Sequence, residues 1–212
     1  MGAVKEGVMT QKRMVMPLVL CLTAASVAAS SAPNRSRLQA TPSANWLDGP
    51  MSEWNAPGRA VPKPPRSDQS REIVMRRCQL TLFRSTTGER ALDAAGWIPF
   101  HNFDQQLLRD DVEIVGGMAG SDAMCRPASF NLFVFVGDRF AGVLSPVLMS
   151  SQLDASSGAV RITGSDTITA DFSRYTTTDV LCCPSSHVTV RYKIDRSGTS
   201  PVVVPIERRV RP

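Results

Sequence analysis

Alternating apolar side chains predict a β-hairpin over residues 130–146. The first strand is apolar on both faces, which is typical of a strand that is covered on both sides and lies centrally in its sheet. Gly137 and Asp138 supply the tight turn, because glycine accepts the positive φ that a two-residue loop requires. The second strand ends at Pro146, which cannot donate a ladder hydrogen bond. The first strand carries Phe130, Leu132, Val134 and Val136 on one face, and Phe133 and Phe135 on the other.

Short strands separated by turn residues continue after the hairpin. We predict them at residues 160–163, 167–172, 187–194 and 202–206. Upstream, residues 72–83 predict a strand, and residues 89–95 predict a short helix that stops at Gly96. Residues 97–103 predict an irregular strand, and residues 103–109 a second short helix. Residues 112–115 predict a strand that ends at Gly116-Gly117, followed by a flexible glycine-rich loop.

This order of elements predicts an α+β domain over residues 71–206. It is mostly an antiparallel β meander, with short helices upstream. At 212 residues with 42% hydrophobic residues, the chain is long and apolar enough for one cored domain with appendages.

The first 29 residues have the organisation of a secretory signal peptide. Lys12 and Arg13 precede an apolar run, and small residues at its end predict cleavage between Ala29 and Ser30. An uncleaved membrane anchor is the alternative, but the run is shorter than the roughly 20 residues of a comfortable span. Cys21 follows a leucine and lies inside the apolar run, so the pattern favours a soluble exported protein over an acylated one. The predicted location is the periplasm, the cell envelope or the exterior.

Residues 30–70 predict a proline-rich flexible tether, since proline removes backbone donors and disfavours regular structure. Trp46 and Trp54 stand out in this polar segment, and burial of their indole area favours docking on the chain's own domain over docking on a partner. We expect the segment to be dispensable for folding.

Net charge is modest, +5 for the whole chain and +3 without the signal peptide. Arg208, Arg209 and Arg211 lie in a predicted basic tail, residues 207–212, which is either solvated or in contact with an anionic polymer or lipid. Together with the signal segment, this tail is the expected site of membrane contact. Basic and aromatic residues are not interleaved as in nucleic-acid-binding proteins.

Four cysteines remain after the signal peptide, Cys78, Cys125, Cys182 and Cys183. An even number in an exported domain predicts two disulfides, and four cysteines allow three pairings. One pairing contains a Cys182–Cys183 bond. An extended backbone would send these neighbours to opposite faces, which favours bridges from each to Cys78 or Cys125. Which neighbour takes which partner is left open.

Candidate catalytic groups are sparse. His187 shares its face of the predicted strand with Thr189, Arg191 and Lys193 and is expected in solvent, whereas His101 lies among aromatic residues and is expected to pack. Ser185 is close to His187 in sequence, but the G-x-S-x-G motif is absent from the chain. The sequence predicts no cofactor and no metal site.

Several short motifs resemble those of the LppP/LprE family of bacterial envelope lipoproteins. The resemblance covers about residues 90–205, and its most specific part is Cys182-Cys183-Pro184-Ser185. It is carried further by the stretches VEIVGGM (112–118), MCRP (124–127), FVFV (133–136), FAG (140–142), LSP (144–146) and Arg174-Tyr175. The resemblance implies an exported, envelope-associated protein and brings no catalytic residues with it.

The sequence favours a non-enzymatic structural or interaction domain of the cell envelope, with an envelope protein or polymer as partner. The alternative is an exported hydrolase or thiol-redox protein that uses Ser185 and His187 or the Cys182/Cys183 pair. A small-ligand carrier is the third hypothesis, and it requires an apolar cavity.

Overall fold

The structure is a computed structural model that describes residues 45–81, 84–101 and 107–211. The predicted signal peptide, its cleavage site at Ala29–Ser30 and Cys21 lie outside the described residues, as does the first part of the predicted tether. Within the described ranges, no helix is both long enough and apolar enough to cross a membrane.

Two helices and nine strands make up the described part of the chain. The helices are α1 (Arg71–Arg77) and α2 (Thr87–Ala95). The strands are β1 (Ile98–Phe100), β2 (Leu108–Arg109), β3 (Val112–Ser121), β4 (Pro127–Val136), β5 (Arg139–Val143), β6 (Ser157–Gly164), β7 (Thr167–Arg174), β8 (Ser186–Asp195) and β9 (Val202–Arg211).

Strands β1 to β5 form the first sheet, which we call sheet A, and all its pairings are antiparallel. Strand β4 lies between β3 and β5, and Gly137-Asp138 joins β4 to β5, so the predicted hairpin with its central strand is confirmed. The side chains of β4 are also divided between its two faces as predicted. Phe133 and Phe135 pack with Leu92 and Trp97 on the outer side, and Phe130, Leu132, Val134 and Val136 belong to the main core.

Strands β6 to β9 form sheet B, an antiparallel meander in chain order. The sequence predicted one meander, whereas the structure has two sheets that share one apolar core. The buried hydroxyl of Tyr192 in β8 donates to the carbonyl oxygen of Leu144 and so joins the two sheets. Burial raises the pKa of Tyr192 well above its ordinary value, because the charged form would lose its hydration. The coarse prediction of a mostly antiparallel domain with short upstream helices is confirmed.

Residues 45–70 pack against both sheets, so the predicted flexible tether is wrong for this part of the segment. Leu47 is buried, and Trp46 contacts Trp54 and Phe172 edge to face. The Asn55 amide donates to the carbonyl oxygens of Val143 (3.0 Å) and Val203 (2.9 Å), one in each sheet. The prolines disfavour helix and strand but do not oppose packing, and the predicted docking of the two tryptophans on their own domain is confirmed.

The helices show which local patterns decide secondary structure. Helix α2 ends at Gly96 in the left-handed conformation, as predicted, but it begins two residues before the predicted start, with a capping box formed by Thr86 and Glu89. The strand predicted at residues 72–83 is wrong for residues 72–81, and its last two residues lie outside the described part of the chain. Ser70 caps helix α1 instead, with Glu72 in its first turn and arginines in its last. The helix predicted at residues 103–109 lies partly outside the described residues, and its last two residues are strand β2.

Strand β3 continues through Gly116 and Gly117, so the predicted strand end and glycine loop are wrong. A Cβ atom on Gly116 would lie 2.6 Å from the ring of Phe100, and one on Gly117 would lie 2.9 Å from Phe133. The glycines make room for aromatic rings on both faces of the sheet, a role that a local turn signal does not reveal.

We expect Gly116→Ala to lower the free energy of unfolding by about 1–3 kcal/mol, because the added methyl group overpacks the Phe100 ring. Urea denaturation measures this change. Gly49→Ala is the matched control, since the Cβ site there has no neighbour closer than 3.9 Å. Equal midpoints for the two variants would contradict the packing role of Gly116.

The predicted basic tail at residues 207–212 is also wrong for residues 207–211. These residues extend strand β9, in which Glu207 pairs with Arg191, Arg209 with Thr189, and Arg211 with His187. Arg208 turns the other way and donates to the carbonyl oxygens of Leu47 and Gly49. The chain continues as strand because β8 offers a full-length edge for pairing.

Candidate functional site

Sheet B has one face in the core and one face in solvent. Buried residues alternate with outward residues along β6, β7 and β8, as expected for a half-exposed antiparallel sheet. We call the solvent side the basic face. Its members are Arg161, Thr163, Thr167, Thr169, Asp171, His187, Thr189, Arg191, Lys193, Glu207, Arg209 and Arg211.

Positive charge dominates this face, with five Lys or Arg side chains against three carboxylates once Asp195, the outward residue of β8 after Lys193, is counted. Glu207 is engaged by both Arg191 (3.3 Å) and Arg209. Asp171 accepts from the Thr189 hydroxyl at 2.5 Å. Within the described chain, Arg161 and Arg211 form no ion pair, whereas Lys193 interacts electrostatically with Asp195, the next outward residue of β8.

Sheet geometry spaces these charges regularly. Directly opposed side chains on neighbouring strands are about 5 Å apart, and successive outward residues on one strand are about 7 Å apart. A shallow groove of about 150 Å³ is lined by the three arginines Arg191, Arg209 and Arg211, by Thr169 and Thr189, and by the Glu207 carboxylate that two of the arginines engage. Arginine forks and threonine hydroxyls together suit carboxylate or phosphate groups.

A second polar group lies beside helix α2, where His101 meets Glu89. The His101 Nε2 lies 2.5 Å from Glu89 Oε1, and Glu89 is only 2% exposed. Glu89 also accepts from the amides of Ser85 (2.7 Å) and Thr86 (2.9 Å). Burial opposes the charged carboxylate, but these hydrogen bonds outweigh it and lower the pKa of Glu89. The carboxylate therefore caps α2 and orients His101, which is a structural role.

An apolar cavity of about 470 Å³ borders this pair and includes Leu80, Pro99 and Phe100 in its lining. The predicted packing of His101 among aromatic residues agrees with its place beside Phe100. A second cavity also includes His101 in its lining. Ser185 lines neither of the two cavities. His101 and Ser185 therefore do not line a common cavity among those that border His101.

Ser185 and His187 do not assemble into a catalytic group either. The Ser185 amide donates to Asp179 at 2.9 Å, at the end of the loop that joins β7 to β8. His187 is exposed on the basic face, as predicted, with Thr189 next to it on the same side.

The cysteines pair differently from the favoured prediction. The structure joins Cys78 to Cys125 and Cys182 to Cys183, so the expected bridges from each neighbour to a distant cysteine are wrong. The premise of an extended backbone fails, because the Cys183 amide donates to the Val180 carbonyl in a tight turn. Both sulfurs of the pair therefore remain within the β7–β8 loop.

Asp179 organises that loop through three hydrogen bonds. It accepts from the Thr176 amide and hydroxyl, both at 2.8 Å, and from the Ser185 amide. These donors, those of Thr176 first, lower the pKa of Asp179 to about 2. Because the folded-state pKa is depressed below the ordinary value of 3.8, the stabilisation is present above pH 3.8 and is lost as the pH falls through about 2.

We expect an NMR pH titration to show the carboxyl carbon of Asp179 and the Thr176 and Ser185 amides moving together with a midpoint of about 2. The Asp179→Asn variant should lose this transition. A midpoint near 3.8 would contradict the hydrogen-bonded loop.

Acidic residues near β3 serve separate structural purposes. Asp111 pairs with Arg196 at 2.7 Å and 2.9 Å, and Glu113 accepts from the Gly88 amide at 3.0 Å. In the part of the chain that the structure describes, no cluster of three or more His, Cys, Asp or Glu side chains is arranged to hold a metal ion.

Sequence reasoning missed the basic face as a unit. It placed Thr189, Arg191 and Lys193 beside His187 on the outer side of one strand, but it treated Arg209 and Arg211 as a tail. No clear local signal marked this extension, because the burial pattern of β9 stops alternating after Pro205 and Val210 is exposed.

The fold and this face define a β-sandwich domain with one open, basic sheet surface. Residues 111–197, from the start of β3 to just after β8, match the sequence profile of a family described as LppP/LprE lipoprotein. The resemblance inferred from the motifs is thereby confirmed over this part of the chain, which contains an LppP/LprE-like domain. Neither the search of curated proteins nor the search of solved structures found a match.

Proposed function

We propose that this protein is a non-enzymatic interaction domain of the cell envelope, and that it binds an anionic envelope polymer through the basic face. The observation that carries the proposal is the excess of positive charge on the basic face, on which Arg161 and Arg211 form no ion pair within the described chain. An extended polymer bearing carboxylates or phosphates has the matching charge and repeats its groups along a flat surface.

Export to the envelope belongs to the same proposal. The basic and apolar segments before Ala29 support cleavage at Ala29–Ser30, and the family relationship supports a place in the envelope. N-terminal sequencing of the exported protein tests the cleavage site. A mature end at Cys21 that carries acyl chains would replace this part of the proposal with a lipid-anchored form.

A non-enzymatic role is supported by the separation of the candidate catalytic residues. Glu89 caps a helix, Ser185 closes a loop and His187 faces solvent on the basic face. A hydrolase needs its nucleophile and base within hydrogen-bond reach of each other.

Binding to immobilised polyphosphate and to a carboxylated polysaccharide, with neutral dextran as reference, tests the proposal. We expect the charge reversals Arg161→Glu, Lys193→Glu and Arg211→Glu, combined in one variant, to weaken binding at least about tenfold. Raising the salt concentration should weaken wild-type binding, because exposed charges are screened.

A charge-matched control reverses Arg59, Lys63 and Arg66, which are exposed and lie in the segment before α1. It has the same net charge as the test variant, and we expect it to bind within about twofold of wild type. Equal losses in the two variants would contradict a specific face. Binding to anionic lipid vesicles but to neither polymer would also contradict the proposal and would identify lipid headgroups as the ligand.

A further inference from the structure

The β7–β8 connection, residues 175–185, presents a disulfide directly to solvent. We call this segment the cysteine loop. Cys182 and Cys183 are both exposed and bonded to each other. Val180 and Leu181, the two preceding residues, are 63% and 62% exposed. A reagent in solution therefore meets both sulfur atoms beside an apolar surface.

The Cys78–Cys125 bridge differs from the Cys182–Cys183 bond in its burial and in the length of the loop that it closes. It joins the end of α1 to the turn between β3 and β4, across a sequence separation of 47 residues. Both cysteines are half-buried, and the Cys78 sulfur lies 3.4 Å from the hydroxyl of the buried Ser121. This bridge fixes tertiary structure and serves as an internal comparison.

The Cys182–Cys183 bond has little to contribute to the fold. A disulfide stabilises a protein mainly by closing a loop in the unfolded chain, and a bond between adjacent residues encloses no such loop. The cysteine loop is also held without it, by the three hydrogen bonds to Asp179 and by the Tyr175 hydroxyl, which donates to the Leu181 carbonyl at 2.9 Å. The bond is thus available to react while the surrounding structure persists.

We propose that the Cys182–Cys183 bond is a thiol–disulfide exchange site whose substrate is a low-molecular-weight thiol. A thiolate attacks the Sγ of one cysteine, the Sγ–Sγ bond breaks, and the other sulfur leaves as a thiolate that takes a proton from water. A second thiolate then attacks the small-molecule sulfur of the mixed disulfide. This step releases the small-molecule disulfide and leaves the second protein cysteine as a thiolate, which is also protonated by water.

In the complete reaction, two small thiols are oxidised and the protein disulfide gains two electrons. The small-molecule disulfide restores the bond by the reverse sequence. Val180 and Leu181 offer an apolar contact for the carbon skeleton of the thiol, next to the sulfur that is attacked. This activity goes beyond polymer binding and uses a different surface.

Differential alkylation with glutathione as the probe tests the proposal. The folded protein is incubated with reduced glutathione, quenched with acid, alkylated and mapped by mass spectrometry, while circular dichroism follows the fold. We expect the Cys182–Cys183 bond to open at least about tenfold faster than the Cys78–Cys125 bond, with the spectrum unchanged. Simultaneous opening of both bonds, earlier opening of Cys78–Cys125, or opening only with loss of the fold would overturn the proposal.

Single-cysteine variants provide a second, independent readout. In Cys182→Ser, the remaining Cys183 thiol should form a mixed disulfide with oxidised glutathione, and Cys183→Ser should show the same adduct on Cys182. These variants retain the Cys78–Cys125 bridge and the Asp179 hydrogen bonds. Absence of the adduct in both variants would overturn the proposal, even if reduction of the wild-type bond were fast.

Discussion

Deletion of residues 45–69 will lower the free energy of unfolding by about 3–5 kcal/mol, a magnitude typical of the loss of one large buried aromatic side chain. The segment carries Trp46 and Leu47 into the main core, and the Trp54 indole donates to the Val143 carbonyl at 3.0 Å. Its removal also exposes Phe172 to water and leaves Arg208 without the carbonyl oxygens that it binds. The entropy regained by the shortened chain offsets part of these losses, so the expected change is well below the sum of the contacts.

Urea denaturation of the full chain and of the deletion variant measures this effect, and the deletion retains Ser70 as the cap of α1. Trp46→Ala in the full-length chain should reproduce a large part of the loss. Met124→Ala is the control, because that side chain is 74% exposed. Equal denaturation midpoints for the full chain and the deletion variant would show that residues 45–69 are a tether after all.

Replacement of the two disulfides will have very unequal effects on stability. Loss of Cys78–Cys125, in the double variant Cys78→Ser/Cys125→Ser, should lower the free energy of unfolding by about 2–4 kcal/mol, because this bond closes a long loop in the unfolded chain. Loss of Cys182–Cys183, in Cys182→Ser/Cys183→Ser, should change it by less than about 0.5 kcal/mol, as expected of an exposed site.

The two double variants are matched controls for each other, since each replaces two cysteines with serines. Denaturation under oxidising conditions compares them with wild type. A loss of similar size in both variants would contradict the assignment of one bridge to the fold and the other to the surface.

Residue patterns predicted the fold correctly where the local sequence signal and the tertiary packing favour the same structure. Alternation in β4 identified both its faces, because each face meets an apolar layer, and Gly96 marked the end of helix α2 by local chemistry alone. Prediction failed at helix α1, where the alternation after Cys78 was given more weight than two local signals, the Ser70 cap and the charge order of the preceding residues. Elsewhere it failed where a distant contact decides.

Two further failures have the same origin. Gly116 and Gly117 have the composition of a turn, yet they lie in a strand because Phe100 and Phe133 occupy the space of their missing side chains. The arginines at the end of the chain became part of a site only through pairing with β8. Neither the position of a partner ring nor the length of a neighbouring strand is encoded in the local sequence, so the basic face could be predicted only in part, from Thr189, Arg191 and Lys193.

An NMR titration of the isotopically labelled protein with polyphosphate tests the central claim most directly, because it locates the bound polymer on the surface. We expect chemical-shift changes to concentrate on the outward residues of sheet B, Arg161, Lys193 and Arg211 foremost, and to reverse when salt is added. Changes centred on the cavity beside His101 or on the cysteine loop, or the absence of any change at low salt, would contradict the basic face as the binding surface.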